Sequence, residues 1–223
     1  MRGHVQQQAA AADCADALIA LVRAEGTASH QHPTSEALVR GPEAARNVAD
    51  IVHLLCLLHG RQPGVVDHAA IRATDLKMRS FLNAAVDAFA EERLILTRLV
   101  VSSGPMPSTT GQAETEATVL SQHHALEMLA QSDRSGCATG AALALLADWA
   151  AIRPLLNTTA QRLGLEVPRS RLPDTAGIAA VMRASETTPA IDRAMLFGAQ
   201  QIVAQHRGLW DLLEARGVAR SAY

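Results

Sequence analysis

Apolar residues recur at three- and four-residue intervals over most of the chain, and no alternating apolar and polar run is bounded by hairpin turns. That pattern predicts helices and no sheet. A first short helix is expected over 12–23, then a loop carrying Gly26, His30, His32 and Pro33, then a helix over 42–59 opened by Pro42 and stopped by Gly60. The longest helix is expected over 67–101, where Ile71, Asp75, Met78, Leu82, Ala85, Phe89, Glu92, Leu96 and Leu99 form one seam, roughly 50 Å long at 1.5 Å per residue. Helices over 112–131 and 135–163 follow a Pro-, Gly- and Ser/Thr-rich loop at 102–111. Pro154 lies inside the second of these, so a kink is expected near Ala150. After a linker at 164–173 come a weak helix over 175–185 and a last one over 189–217.

The pattern therefore predicts one all-α domain over 1–223, an antiparallel up-down bundle of long helices with short helices at the N-terminus and before the last helix. Its parts are an N-terminal helix and loop (1–41), the main bundle helices (42–163), a linker with a short helix (164–188) and the last bundle helix (189–217). The helices over 67–101 and 135–163, with seams of similar length, are expected to be antiparallel neighbours.

Polar residues that fall on apolar stripes are the candidates for chemistry. On the last helix Ile191, Met195, Ile202, Leu209 and Leu213 share a stripe, Val203 and Trp210 flank it, and His206 falls among them. A buried imidazole must satisfy two ring nitrogens, so His206 is either a hydrogen-bonded core residue or part of a site. Glu92 sits on the long seam between Phe89 and Leu96, and needs an arginine, a proton or a metal. Glu116, His123 and Glu127 follow the edge of the inner face of the 112–131 helix, and a carboxylate and an imidazole one turn apart can point at one ion. Together these make a hypothetical metal-ligand set of Glu92, Glu116, His123, Glu127 and His206. Other histidines read as ordinary: Asp50 and His53 as an exposed pair, His59 as a helix C-terminal cap, and His30 and His32 as loop surface.

Composition narrows the field. Twenty basic residues against 22 acidic ones give a formal charge of −2, with no basic surface for nucleic acid. Lys77 is the only lysine and alanine abounds, which fits a GC-rich bacterial coding bias. Cys14, Cys56 and Cys137, an odd number at wide spacing, read as free thiols in a reducing cytosol. Asp13 and Asp16 interrupt any signal-peptide core, and the apolar run 141–147 is too short to span a membrane. A cytoplasmic protein with neither membrane nor nucleic-acid partner is expected, and its Ala-rich faces leave room for a homodimer.

Residues 42–217 resemble a ferritin-like bundle in architecture. The strings closest to that family's Glu-x-x-His motif are Asp50-Ile-Val-His53, with aspartate in place of glutamate, and His124-Ala-Leu-Glu127, in reverse order. His206-Arg207-Gly208 is similar to the last-helix motif of DinB-like metal proteins, with Ile202 where a second histidine stands in that family. These resemblances imply metal ligation by inward carboxylates and histidines. As a whole the chain looks most like an uncharacterised proteobacterial helical family, which carries no activity with it. No motif assigns a reaction or a cofactor. Three functions stay open: a structural or interaction bundle without catalysis, a metal-binding bundle of oxidoreductase or storage type, and a bundle holding a small apolar ligand against Trp149, Trp210 and His206.

Overall fold

The computed structural model describes residues 2–221, with the side chains of 14–36 and 38–220, and all its regular structure is helical. In chain order it runs α1 (Arg2–Glu25), a 3-10 turn (Thr27–Ser29), α2 (Gln31–Thr34), α3 (Glu36–Arg40), α4 (Ala44–His59), α5 (Val65–Arg72), α6 (Leu76–Ser103), α7 (Gln112–Ala130), α8 (Cys137–Arg162), α9 (Thr175–Ala184) and α10 (Pro189–Ser221). The leader reading rests partly on Asp13 and the stretch before it, whose side chains lie outside the described residues.

The long helix expected over 67–101 is two helices. Asp75, assigned to the seam, has an extended backbone at φ −70°, ψ 131°, and its carboxylate accepts the Met78 N–H at 2.8 Å. It is the N-cap of α6, satisfying a donor that the first turn leaves open.

At the centre lies α8. Among the described residues it is the one helix long and apolar enough to cross a membrane, and 78% of its most apolar window is buried inside the protein. Pro154 lies within α8, which runs unbroken from Cys137 to Arg162. Its main partner is α10. Gly136 faces Ile191, Gly140 faces Met195 and Asp148 reaches His206, so residue numbers rise together along both helices. The pair is thus parallel, and the connection through α9 carries the chain back between them. This departs from the antiparallel neighbours expected for α8. α6 meets α8 more locally, with Phe89 edge-on to Trp149 at 4.9 Å between ring centroids.

Asp50, expected on an exposed face with His53, is fully buried. The end of α10 covers that face of α4, and Arg216 grips both Asp50 oxygens at 2.9 and 3.0 Å while Arg220 adds a third contact. His53 instead bonds the Gly104 carbonyl at 2.8 Å. The three cysteines are free, Cys14 and Cys137 buried and Cys56 half-buried. Burial, then the nearby Asp192, pushes the Cys14 thiol up to about 12, so it stays protonated and unreactive.

Candidate functional site

The stripe on α10 carries His206 into the core, fully excluded from solvent. Its Nδ1 lies 2.5 Å from Oδ2 of Asp148 on α8. The same carboxylate accepts the Thr27 N–H at 2.7 Å and the Thr27 hydroxyl at 2.6 Å, and the Trp210 indole N–H donates to that hydroxyl at 2.9 Å. On the other side, Nε2 of His206 meets Nε2 of His59, at the end of α4, at 2.8 Å.

Donor and acceptor rules give this file a direction. Burial alone would raise the Asp148 carboxyl, but the bonds from His206 and Thr27 outweigh it and hold it below its ordinary value, hence ionised. A carboxylate only accepts, so Nδ1 of His206 carries a hydrogen. With His206 neutral, its Nε2 must accept from the Nε2–H of His59. The remaining nitrogen of His59, Nδ1, is then a bare acceptor.

His59 also lines a small pocket between α4, α5, α6 and α7, with room at its floor for little more than one water. Phe89, Leu58 and Leu126 form apolar walls, and His123, Arg93 and Glu127 bring polarity. His123 on α7 approaches the Leu58 carbonyl through Nδ1 at 2.9 Å, so that nitrogen carries the hydrogen. Its Nε2 is buried without a hydrogen-bond partner and stands 3.4 Å from a Glu127 oxygen. Arg93 donates to Asp67 at 2.6 Å and to the His59 carbonyl at 3.3 Å, and lies over the Phe89 ring. Gly64 makes room for it, since a β-carbon there would come within 2.7 Å of the guanidinium.

Of the five residues expected to share a metal, the structure brings His123 and Glu127 together. Glu92 is buried against Arg153, the Trp149 indole N–H at 3.1 Å and the Ser170 hydroxyl at 2.7 Å. Glu116 accepts from Gln112 at 2.8 Å and lines a separate surface depression with His53 and Cys56. His206 is engaged by Asp148 and His59. The sequence pattern placed His59 at a helix cap and singled out no role for Asp148, which follows the apolar run 141–147. The available signal was the same for both: a polar side chain within an otherwise apolar stretch.

Among the described residues, the group of three metal-capable side chains that converges within 4.8 Å is His30, Asp211 and Glu214. It is poorly set for an ion. Nδ1 of His30 accepts the His32 N–H at 3.1 Å, so a neutral ring carries its hydrogen on Nε2 and donates it to Asp211 at 3.0 Å. Ligation through Nε2 would need the opposite tautomer and would sacrifice that bond.

The buried file makes stability sensitive to acid. Burial, more than any neighbouring charge, holds His59 well below its ordinary 6.5. The unfolded chain takes up that proton more readily, so stability is full above the unfolded value and declines as pH falls below it. The slope is up to about 1.4 kcal/mol per pH unit. Asp148 has the depressed carboxylate's sign: its contribution is present above the ordinary 3.8 and is lost as pH falls through its lower native value. Urea titrations from neutral to mildly acid pH are expected to show the first decline already in the range where only histidines titrate. A flat profile there would contradict a neutral, buried His59.

A family model described as a family of unknown function, DUF6975, matches residues 22–221, and the chain belongs to that family. No curated protein and no solved structure matches the chain.

Proposed function

We propose that this member of the family binds a small polar ligand in the pocket between α4, α5, α6 and α7, held by unprotonated ring nitrogens of His59 and His123. The observation that carries the reading is Nε2 of His123, buried in a residue of the pocket wall without a hydrogen-bond partner, 3.4 Å from a Glu127 oxygen. Buried acceptors are paired in native proteins, so a bare one beside a cavity points to where a ligand's donor or cation sits. His59 adds a second acceptor, its ring held through His206 by Asp148. We propose further that the protein works in the cytoplasm and that a homodimer is its natural assembly.

The competing reading is a structural or interaction bundle without chemistry. It is favoured by Asp50, Glu92 and Asp148, each of which is paired across separate elements. Nitrogen-15 NMR of histidine-labelled protein, titrated with methylammonium as a small donor, separates the two. The ligand reading expects unprotonated Nδ1 on His59 and Nε2 on His123 at neutral pH, with both resonances shifted by the probe and exposed His124 unmoved. Protonated nitrogens at these positions, or resonances indifferent to the probe, would leave the structural bundle.

A further inference from the structure

We infer that the pocket takes a divalent transition-metal ion of the zinc class, bound by Nε2 of His123, the carboxylate of Glu127 and Nδ1 of His59. This rests on reading that pocket as the ligand site and names its ligand. His123 and Glu127 are one turn apart on α7, and their facing atoms are 3.4 Å apart. With Nδ1 of His123 donating to Leu58, those facing atoms are both acceptors when the ring is neutral, an arrangement that repels until a cation stands between them.

Each histidine is also backed as metal-bound histidines are. The ring nitrogen away from the ion bonds a backbone carbonyl in His123, and in His59 it bonds an imidazole that is itself held by a carboxylate. Such backing fixes the tautomer and the orientation of the ring. Two imidazoles and one carboxylate, with water completing the shell, suit zinc and its neighbours better than magnesium or calcium. Of the two arginines lining the pocket, Arg93 is paired with Asp67 at 2.6 Å and Arg61 is exposed to solvent. His59, His123 and Glu127 do not all converge within 4.8 Å as they stand. The Glu127 side chain, 40% exposed, has the freedom to swing inward and complete the set.

The test is titration of the full chain with cobalt(II), then zinc(II) competition, watching visible d–d absorption. One equivalent is expected to bind, with His59 and His123 nitrogen resonances moving on zinc addition. Affinity should fall at least about tenfold in His123→Ala and in Glu127→Gln, and hold in His124→Ala and His30→Ala. Glu127 is half-exposed, so its variant tests the idea even if His123→Ala folds poorly. Absence of stoichiometric binding would overturn the inference. So would binding that survives Glu127→Gln and is lost in His30→Ala, which would move the ion to the His30, Asp211 and Glu214 cluster. Neither result touches the methylammonium titration, so the pocket reading fails or stands separately.

Discussion

Gly140→Ala is expected to destabilise the protein by about 3 kcal/mol or more, the upper end of what over-packing costs. A β-carbon at Gly140 would collide with the carbonyl oxygen, carbonyl carbon and α-carbon of Met195, and one at Gly198 would collide with the Cys137 carbonyl. These obstacles are backbone, so no side-chain rotation relieves them. The two helices would have to separate along the pair that carries Asp148 and His206, loosening the hydrogen-bond file as well. Gly198→Ala acts on the same contact from the other side. The double variant should therefore cost less than the two single losses added, because the helices need separate only once. Urea unfolding of the four proteins measures this. A loss under about 1 kcal/mol for Gly140→Ala, within the ordinary glycine-to-alanine range, would show that α8 and α10 do not approach this closely.

The all-helical class was legible because each helix must hide one stripe, and the stripes recur along the chain. What periodicity could not convey was how stripes pair. α8 is apolar nearly all round, so its sequence offers no preferred face, and its parallel pairing with α10 depends on two glycines that read in isolation as mere helix weakeners. Asp75 fitted the seam by spacing, yet a capping aspartate at the first turn occupies the same angular position as a seam residue, and only backbone dihedrals tell them apart. Asp50 was placed on a polar face by its neighbours Arg46 and His53. It is buried because Arg216 and Arg220 arrive from 166 and 170 residues away. The candidate site divides in the same manner. His206, His123 and Glu127 announced themselves by helical phase, whereas His59 and Asp148 acquire their meaning from partners on other helices, which no local spacing encodes.

Asp148→Asn is expected to reverse the hydrogen-bond file without emptying it, while Asp148→Ala should cost about 3–5 kcal/mol by orphaning buried donors. The orphaned groups in the alanine variant would be the Thr27 N–H, the Thr27 hydroxyl and Nδ1–H of His206. Asparagine can keep its oxygen toward the Thr27 amide, which places its NH2 group toward His206. Nδ1 of His206 must then accept, Nε2 must donate, and Nε2 of His59 must accept in turn. Nδ1 of His59 ends up protonated, so the nitrogen offered to the pocket changes from acceptor to donor although it belongs to a different helix from the substitution. Nitrogen-15 NMR reads this directly as a tautomer change at His59 and His206, with the helical content preserved. Cobalt binding should weaken as well, since a protonated nitrogen cannot ligate, while methylammonium should lose its contact with His59 and keep that with His123. If His59 retains a bare Nδ1 in the asparagine variant, the carboxylate does not set the tautomer of the file, and Asp148 serves only to pin Thr27 and α10 to α8.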